Sequence, residues 1–219
     1  MFVNDSTIDF FTNRMILVKV NAEVDTTTAT KYHAIAYPTS VLLRKSGEEV
    51  DRLVGYAPAT EYIQTFDDYS NGIGTLADLI AKAEGGVDRP LYLQIADKYK
   101  YRGDGAEAQT WFARVIESGD PADSLSGEAR LAFADFLRRD KRYDDALDAY
   151  RKIEQEFTAT YHGQDAVIYQ AIVYRQKGDT AQAISTFGNF LERYPNSSDT
   201  TYAREQIEKL KNPKPVAAQ

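Results

Sequence analysis

Six alanines at a nearly constant spacing constrain the fold of this chain more than any other feature. Ala108, Ala146 and Ala183 each stand four residues before an aromatic residue. Twelve residues before each of them lies another alanine, at positions 96, 134 and 171. Equivalent positions are therefore 38 and 37 residues apart. A fixed period of this length is typical of arrays of two-helix units, which bury their apolar faces against their neighbours.

The order of residue types within each unit resembles the tetratricopeptide repeat (TPR), in which small residues let two antiparallel helices approach and aromatic residues fill the gaps. The usual period is about 34 residues, and longer loops near residues 118–126 and 158–163 explain the excess here. We predict three repeats, at residues 89–122, 127–160 and 164–197. A solvating cap helix at residues 200–211 completes the array at residues 89–212, and residues 213–219 form a tail.

Residues 1–72 show a different pattern, in which short β-rich stretches alternate with helical ones. Strands are predicted at residues 15–20, 40–44 and 49–54, with a hairpin turn at residues 45–48. Helices are predicted at residues 26–33 and 58–69, and a connecting helix within residues 73–88.

Within this part, Ala36-Tyr37-Pro38-Thr39 directly precedes a predicted strand, and Gly47 and Gly55 follow in the hairpin turn and after the last strand. This resembles the cis-proline loop and final strands of thioredoxin-like proteins, over roughly residues 2–70. The resemblance implies a cis peptide bond before Pro38 and places Tyr37, Pro38 and Thr39 on the substrate or partner face. The expected fold class is α/β followed by all-α: a partial thioredoxin-like fold, then a TPR-type solenoid of helical hairpins.

This sequence departs from that family in two respects. It lacks the Cys-x-x-Cys motif, and it lacks the first strand, which in the family lies in the middle of the sheet. The chain contains no cysteine, which excludes disulfides, thiolate metal sites and dithiol chemistry by its own residues. Strands at residues 15–20 and 40–44 would flank a slot with unpaired backbone groups, which predicts self-association through the incomplete sheet. Three explanations fit this departure: a late start in the gene, another chain or a rearranged segment that fills the slot, or a relic domain held up by the repeats. We favour the late start, because the match begins within a helix.

Composition excludes several function classes. The net charge is −7, which argues against nonspecific nucleic-acid binding. No apolar run approaches the roughly 20 residues of a membrane helix, and no apolar signal-peptide core occurs. With no phosphate loop or metal-ligand spacing, we expect no cofactor and no metal. We expect His33 on the surface and His162 in a loop between repeats, both without a role.

The TPR resemblance implies a partner groove lined by the first helix of each repeat. Its equivalent cationic positions, Lys100, Arg138 and Arg175, would form a basic ladder for a peptide carboxylate or acidic side chain. The Asn and Lys clamp that some TPR proteins use for chaperone peptides is not matched, so that partner is not predicted. The remaining groove positions are Leu93, Asp97, Tyr101, Leu131, Asp135, Arg139, Ile168, Ile172 and Gln176.

These observations predict a non-catalytic scaffold or adaptor that binds a protein or peptide, with chaperone-like character and a redox-inactive thioredoxin-like domain. One alternative is a fragment of a thiol-disulfide oxidoreductase whose Cys-x-x-Cys motif lies upstream. Residues 190–197 resemble repeats of cell-envelope assembly scaffolds, which is a second alternative. Bacterial cytoplasm and periplasm both remain open as locations.

Overall fold

The structure is a computed structural model that describes residues 5–213, except for the side chain of Ser6. The chain divides into two compact units, residues 1–111 and 112–219. Within the described residues it is mostly helical, with one small sheet of two strands, an architecture compatible with a solenoid of helical repeats. No helix among residues 5–213 is long and apolar enough to cross a lipid bilayer.

The first unit contains a β-hairpin with helices before and after it. Asp25 and Asp88 start two of these helices, because their side chains accept hydrogen bonds from free backbone amides in the first turn. The elements are α1 (Asp5–Arg14), α2 (Thr26–Lys31), β1 (Thr39–Leu43), β2 (Glu49–Val54), α3 (Ala59–Ser70), α4 (Leu76–Ala83), α5 (Arg89–Arg102) and the start of α6 (Gly105–Glu117).

The hairpin confirms two of the predicted strands. β1 and β2 are antiparallel, with Thr39 opposite Val54, and the turn contains Gly47 at a φ of +86°. Such a left-handed conformation suits glycine, which has no Cβ to clash with the backbone. The Tyr37–Pro38 peptide bond is cis, as expected. One face of the hairpin packs on a core that contains Phe11, Tyr62 and Phe66.

The predicted strand at residues 15–20 is wrong, because these residues belong to no helix or strand. Ile16 is 94% exposed and Val18 73% exposed. The composition of this segment is β-rich, but a strand also needs a neighbour that satisfies its backbone amides and carbonyls. No described segment provides that neighbour.

The hairpin is fixed to the helices that follow it through the buried carboxylate of Asp51. Its Oδ1 accepts from the Lys98 ammonium at 2.9 Å, and its Oδ2 accepts from the Leu76 amide at 2.6 Å, at the start of α4. The Arg102 guanidinium lies 3.3 Å from Oδ2. A fully buried carboxylate is tolerated only with such a complete set of donors.

We predict that Asp51→Asn destabilises the first unit by about 3–5 kcal/mol, because Lys98 and Arg102 lose their buried countercharge. The measurement is urea unfolding followed by circular dichroism. Asp67→Asn is the matched control, since Asp67 pairs with Arg14 at the surface, where an ion pair contributes at most about 1 kcal/mol. Equal effects of the two substitutions would contradict the role assigned to Asp51.

The second unit holds helical hairpins at the positions of the predicted second and third repeats and the predicted cap helix. Hydrophobic clusters fill the space between successive helices. After the end of α6, the helices are α7 (Ser124–Arg139), α8 (Tyr143–Glu156), α9 (Tyr161–Gln176), α10 (Thr180–Arg193) and α11 (Thr200–Lys211).

The alanines that set the sequence period are the points of closest helix packing. All six have no exposed surface, and the paired aromatics Tyr150 and Phe187 are equally buried. Any side chain larger than a methyl group at these positions would push neighbouring helices apart, because protein interiors are close-packed. The spacing of the alanines therefore sets how closely the helices of this unit can pack.

We predict that Ala183→Leu destabilises the second unit by about 1–3 kcal/mol through overpacking. Ala181→Leu on the same helix adds the same atoms at an exposed position and should change the stability by less than about 0.5 kcal/mol. Chemical denaturation of the two variants measures the difference. A stable Ala183→Leu variant would show that the alanine spacing does not limit helix approach.

Candidate functional site: the first-helix face of the second unit

The three residues implied by the thioredoxin resemblance lie just before and at the start of β1. Tyr37 is 66% exposed and Pro38 is exposed, whereas Thr39 is half-buried and donates from its hydroxyl to the Ala36 carbonyl at 2.6 Å. Tyr37 also lines a shallow cavity of about 290 Å³ together with His33. These residues form an accessible surface, and their role as a partner face stays a prediction.

The predicted groove positions of the first repeat offer little free charge. Lys100 is 6% exposed, and its ammonium donates to Asp97 at 2.5 Å. The same ammonium lies 4.5 Å from the ring centre of Tyr101, and Leu93 is half-buried. The cationic group of Lys100 is therefore satisfied within the first unit.

In the second unit, the first helices α7, α9 and α11 carry a connected set of polar side chains. We call this set, together with the predicted groove residues on α7 and α9, the first-helix face. Arg139 and Gln176 are exposed, and Ile168 is buried. The face consists of Leu131, Asp135, Arg138, Arg139, Ile168, Ile172, Arg175, Gln176 and Gln206.

On α7, one aspartate holds two arginines. Both Nε and Nη2 of Arg138 donate to Asp135 Oδ1, at 3.0 and 2.6 Å, and Arg139 Nε donates to Oδ2 at 2.6 Å. Burial disfavours the ionised carboxylate, but the two guanidinium groups outweigh it and hold the pKa of Asp135 below its usual value. Asp135 stays ionised and fixes both side chains on the face.

Two further hydrogen bonds connect polar side chains on neighbouring helices. Arg138 Nη1 donates to the side-chain oxygen of Gln176 on α9 at 3.2 Å. Arg175, the next residue back on α9, donates to the side-chain oxygen of Gln206 on α11. The polar side chains thus form a ladder over α7, α9 and α11, and Gln206 is a member that the repeat pattern did not predict.

A stacked pair of aromatic rings lies next to Arg138 of the ladder. The rings of Tyr150 and Tyr169 are stacked with centroids 5.4 Å apart, and the Arg138 guanidinium lies 5.9 Å from the centre of Tyr169. Burial, together with the Asp135 charge, raises the pKa of Tyr150 far above its usual value, so its hydroxyl stays protonated. Tyr150 is the aromatic residue four positions after Ala146 in the repeat pattern, whereas the pattern gives no signal for Tyr169.

The expectation that His162 lies in a loop is wrong, because α9 already includes it and its side chain is 1% exposed. Its ring contacts Phe157 and Tyr161, and a Cβ at Gly127 of α7 would lie 2.8 Å from it. Burial lowers the pKa of His162, although the charge of Glu128 opposes this, so the neutral ring packs between helices. The glycine facing the ring was a sequence signal of this close approach.

One turn further along α9, Asp165 carries a perturbed carboxyl group. Burial raises the pKa of Asp165 to about 6, and the negative charge of Asp199 at the start of α11 adds to the shift. No group of histidine and acidic side chains among the described residues is arranged to hold a metal ion.

Comparison with known protein families supports the repeat interpretation for one stretch. The family model described as tetratricopeptide repeat matches residues 165–197, which coincide with the predicted third repeat and contain most of α9 and all of α10. No curated protein matches the chain. The match supports a role as a scaffold for protein–protein interaction and a protein as the partner.

We predict that Asp165→Asn raises the stability of the second unit at pH 7 by about 1 kcal/mol. The folded carboxyl, with a pKa of about 6, binds its proton more tightly than the unfolded one, whose pKa is near 3.8. Stability from this group is therefore present at pH 4 and is lost as the pH rises through 6.

The measurement is urea unfolding at pH 4 and pH 7. The gain from Asp165→Asn should be largest at pH 7 and much smaller at pH 4, which lies close to the pKa of the unfolded carboxyl. Asp148→Asn is the control, because Asp148 is 71% exposed and pairs with Arg151 at the surface. A pH-independent effect of Asp165→Asn would refute the assigned burial.

Proposed function

We propose that the second unit is a binding module for an extended, acidic segment of a partner protein, held across the first-helix face. The observation that carries the proposal is the ladder in which Arg138 bonds Gln176 and Arg175 bonds Gln206. It joins α7, α9 and α11, and the tetratricopeptide match at residues 165–197, which includes most of α9, supports a role in protein interaction.

The charge of the face favours an acidic partner. Three arginines stand on it against one carboxylate, that of Asp135. Within residues 5–213, the Arg175 guanidinium bonds the neutral Gln206 side chain and pairs with no carboxylate. Guanidinium groups bind carboxylates through two parallel hydrogen bonds, which gives orientation as well as affinity. Arg175 is therefore the residue best placed to receive an acidic side chain or a terminal carboxylate.

The glutamine side chains of the ladder favour an extended backbone. Gln176 is exposed, and only its oxygen is used by Arg138, so its amide group can still donate. An extended peptide presents free carbonyls at regular intervals, and such groups can accept from this amide. A partner segment with acidic side chains and an unpaired backbone fits both features.

The test uses two fluorescent peptides of equal length, one with glutamate and the other with lysine at alternate positions. The chain should bind the acidic peptide more tightly by at least about tenfold, which corresponds to about 1.4 kcal/mol. Added salt should weaken this binding, because exposed charges are screened. Equal affinity for the two peptides would argue against the proposal.

We predict that Arg175→Glu weakens binding of the acidic peptide by about tenfold or more, through loss of one charge pair and gain of a repulsion. Arg151→Glu is the matched control, since Arg151 lies on the second helix α8 and already pairs with Asp148. It should leave the affinity within about twofold. Fluorescence anisotropy measures both, and an equal loss in the two variants would contradict a site at Arg175.

For residues 1–72, we propose a redox-inactive thioredoxin-like platform. The hairpin of β1 and β2, the helix α3 after it and the absence of cysteine from the whole sequence support this proposal. The alternative is part of a thiol-disulfide oxidoreductase. An in-frame β-rich stretch with Cys-x-x-Cys upstream of the Met1 codon would favour that alternative, and a stop codon there would favour the platform. Chaperone-like holding and cell-envelope scaffolding stay as predictions.

A further inference from the structure

The hairpin of the first unit has one strand edge without partners. The Gly55 amide donates to the Pro38 carbonyl, and in an antiparallel pair the bonded positions alternate. Ser40 and Leu42 therefore direct their backbone groups towards β2. Val41 directs its amide and carbonyl the other way, and within residues 5–213 these groups have no partner. A free edge of this kind is a template for another strand.

The opposite edge of the sheet is blocked. The Val50 carbonyl of β2 accepts from Arg102 at 3.3 Å, and the Arg52 carbonyl accepts from the Tyr69 hydroxyl at 3.3 Å. Charged and aromatic side chains thus cover β2, as natural proteins commonly do at sheet edges. Because the edge of β2 is covered and the edge of β1 is not, another strand can add in this hairpin only at the edge of β1.

The same chain carries a β-rich segment that is not used in its own sheet. The six residues 15–20 are close in length to the five residues of β1, and Ile16, Val18 and Val20 are all exposed. Met15 packs on the core that contains Phe11, but residues 16–20 are exposed, and Leu17 lines a cavity of about 340 Å³ beside α1, so most of the segment is loosely packed against its own unit. Moving it away from α1 therefore sacrifices few contacts.

We propose that two copies of this chain form a two-fold dimer by exchanging residues 15–20, each segment adding to the free edge of β1 in the other copy. A second copy fits best because both halves of the contact, open edge and unused segment, occur on one chain. When each copy gives its segment to the other, the β1 edges of both copies are paired, and the dimer is a closed assembly.

The first test is the mass of the full chain in solution, measured by light scattering over a range of concentrations. The proposal expects twice the chain mass of 24.6 kDa. A monomer at all concentrations up to about 100 µM would overturn it, since a dimer with micromolar Kd would be populated there.

We predict that Val18→Glu weakens the dimer by at least about tenfold, because it places a charge in the added strand. Val87→Glu is the matched control, since Val87 has the same side chain and the same 73% exposure but lies outside the segment. It should leave the dimer intact, and circular dichroism should show both variants folded. A dimer that survives Val18→Glu would place the interface elsewhere and overturn the proposal.

The absence of native cysteine permits a second test by cross-linking. Chains with Leu17→Cys or Val18→Cys are each mixed with chains carrying Val41→Cys and oxidised. Adjacent strand residues point to opposite faces, so one of the two should share a face with Val41 of the other copy and form a mixed disulfide. In the control, chains with Val87→Cys are mixed with the Val41→Cys chains in place of the Leu17→Cys or Val18→Cys chains. Cross-links only between two Leu17→Cys or two Val18→Cys chains would overturn the exchange.

Discussion

Close approach of helices at small residues is the constraint on which the second unit depends. Ala134, Ala171 and Ala183 have no exposed surface, and Gly127 leaves room for the ring of His162. Because the first helices pack so closely, side chains from one can hydrogen bond to the next. The ladder over α7, α9 and α11 follows directly from this packing. A larger residue at any of these positions would separate the groups that form the first-helix face.

The first unit is held together by different means. A two-stranded hairpin has too little apolar surface to be stable alone, so it depends on its attachment to neighbouring helices. Aromatic residues cover one face of the hairpin, and the Asp51 carboxylate joins β2 to α4 and α5. Tyr69 of α3 and Arg102 of α5 also donate to carbonyls on the outer edge of β2. The edge of β1 receives no such cover, and this asymmetry makes it the surface open to another strand.

The two units use charge in opposite ways. In the first, the cationic groups of Lys98 and Lys100 are satisfied by carboxylates. In the second, Asp135 orients Arg138 and Arg139 without cancelling both charges, and Arg175 bonds a neutral amide. Positive charge on the first-helix face is therefore retained in a chain whose net charge is −7. The proposed binding of an acidic segment depends on this retained charge.

The sequence by itself determined the helical hairpins of the second unit, the repeat at residues 165–197 and the β1–β2 hairpin, because alanine spacing, capping residues and turn glycines act over short distances. It also identified Arg138 and Arg175 as equivalent positions. Only the tertiary structure decided that Asp135 holds two arginines, that Gln206 completes the ladder and that His162 is buried. These contacts join residues far apart in the chain, so no local pattern encodes them. Residues 15–20 show the same limit, because their composition favours a strand, but only a paired neighbour can make them one.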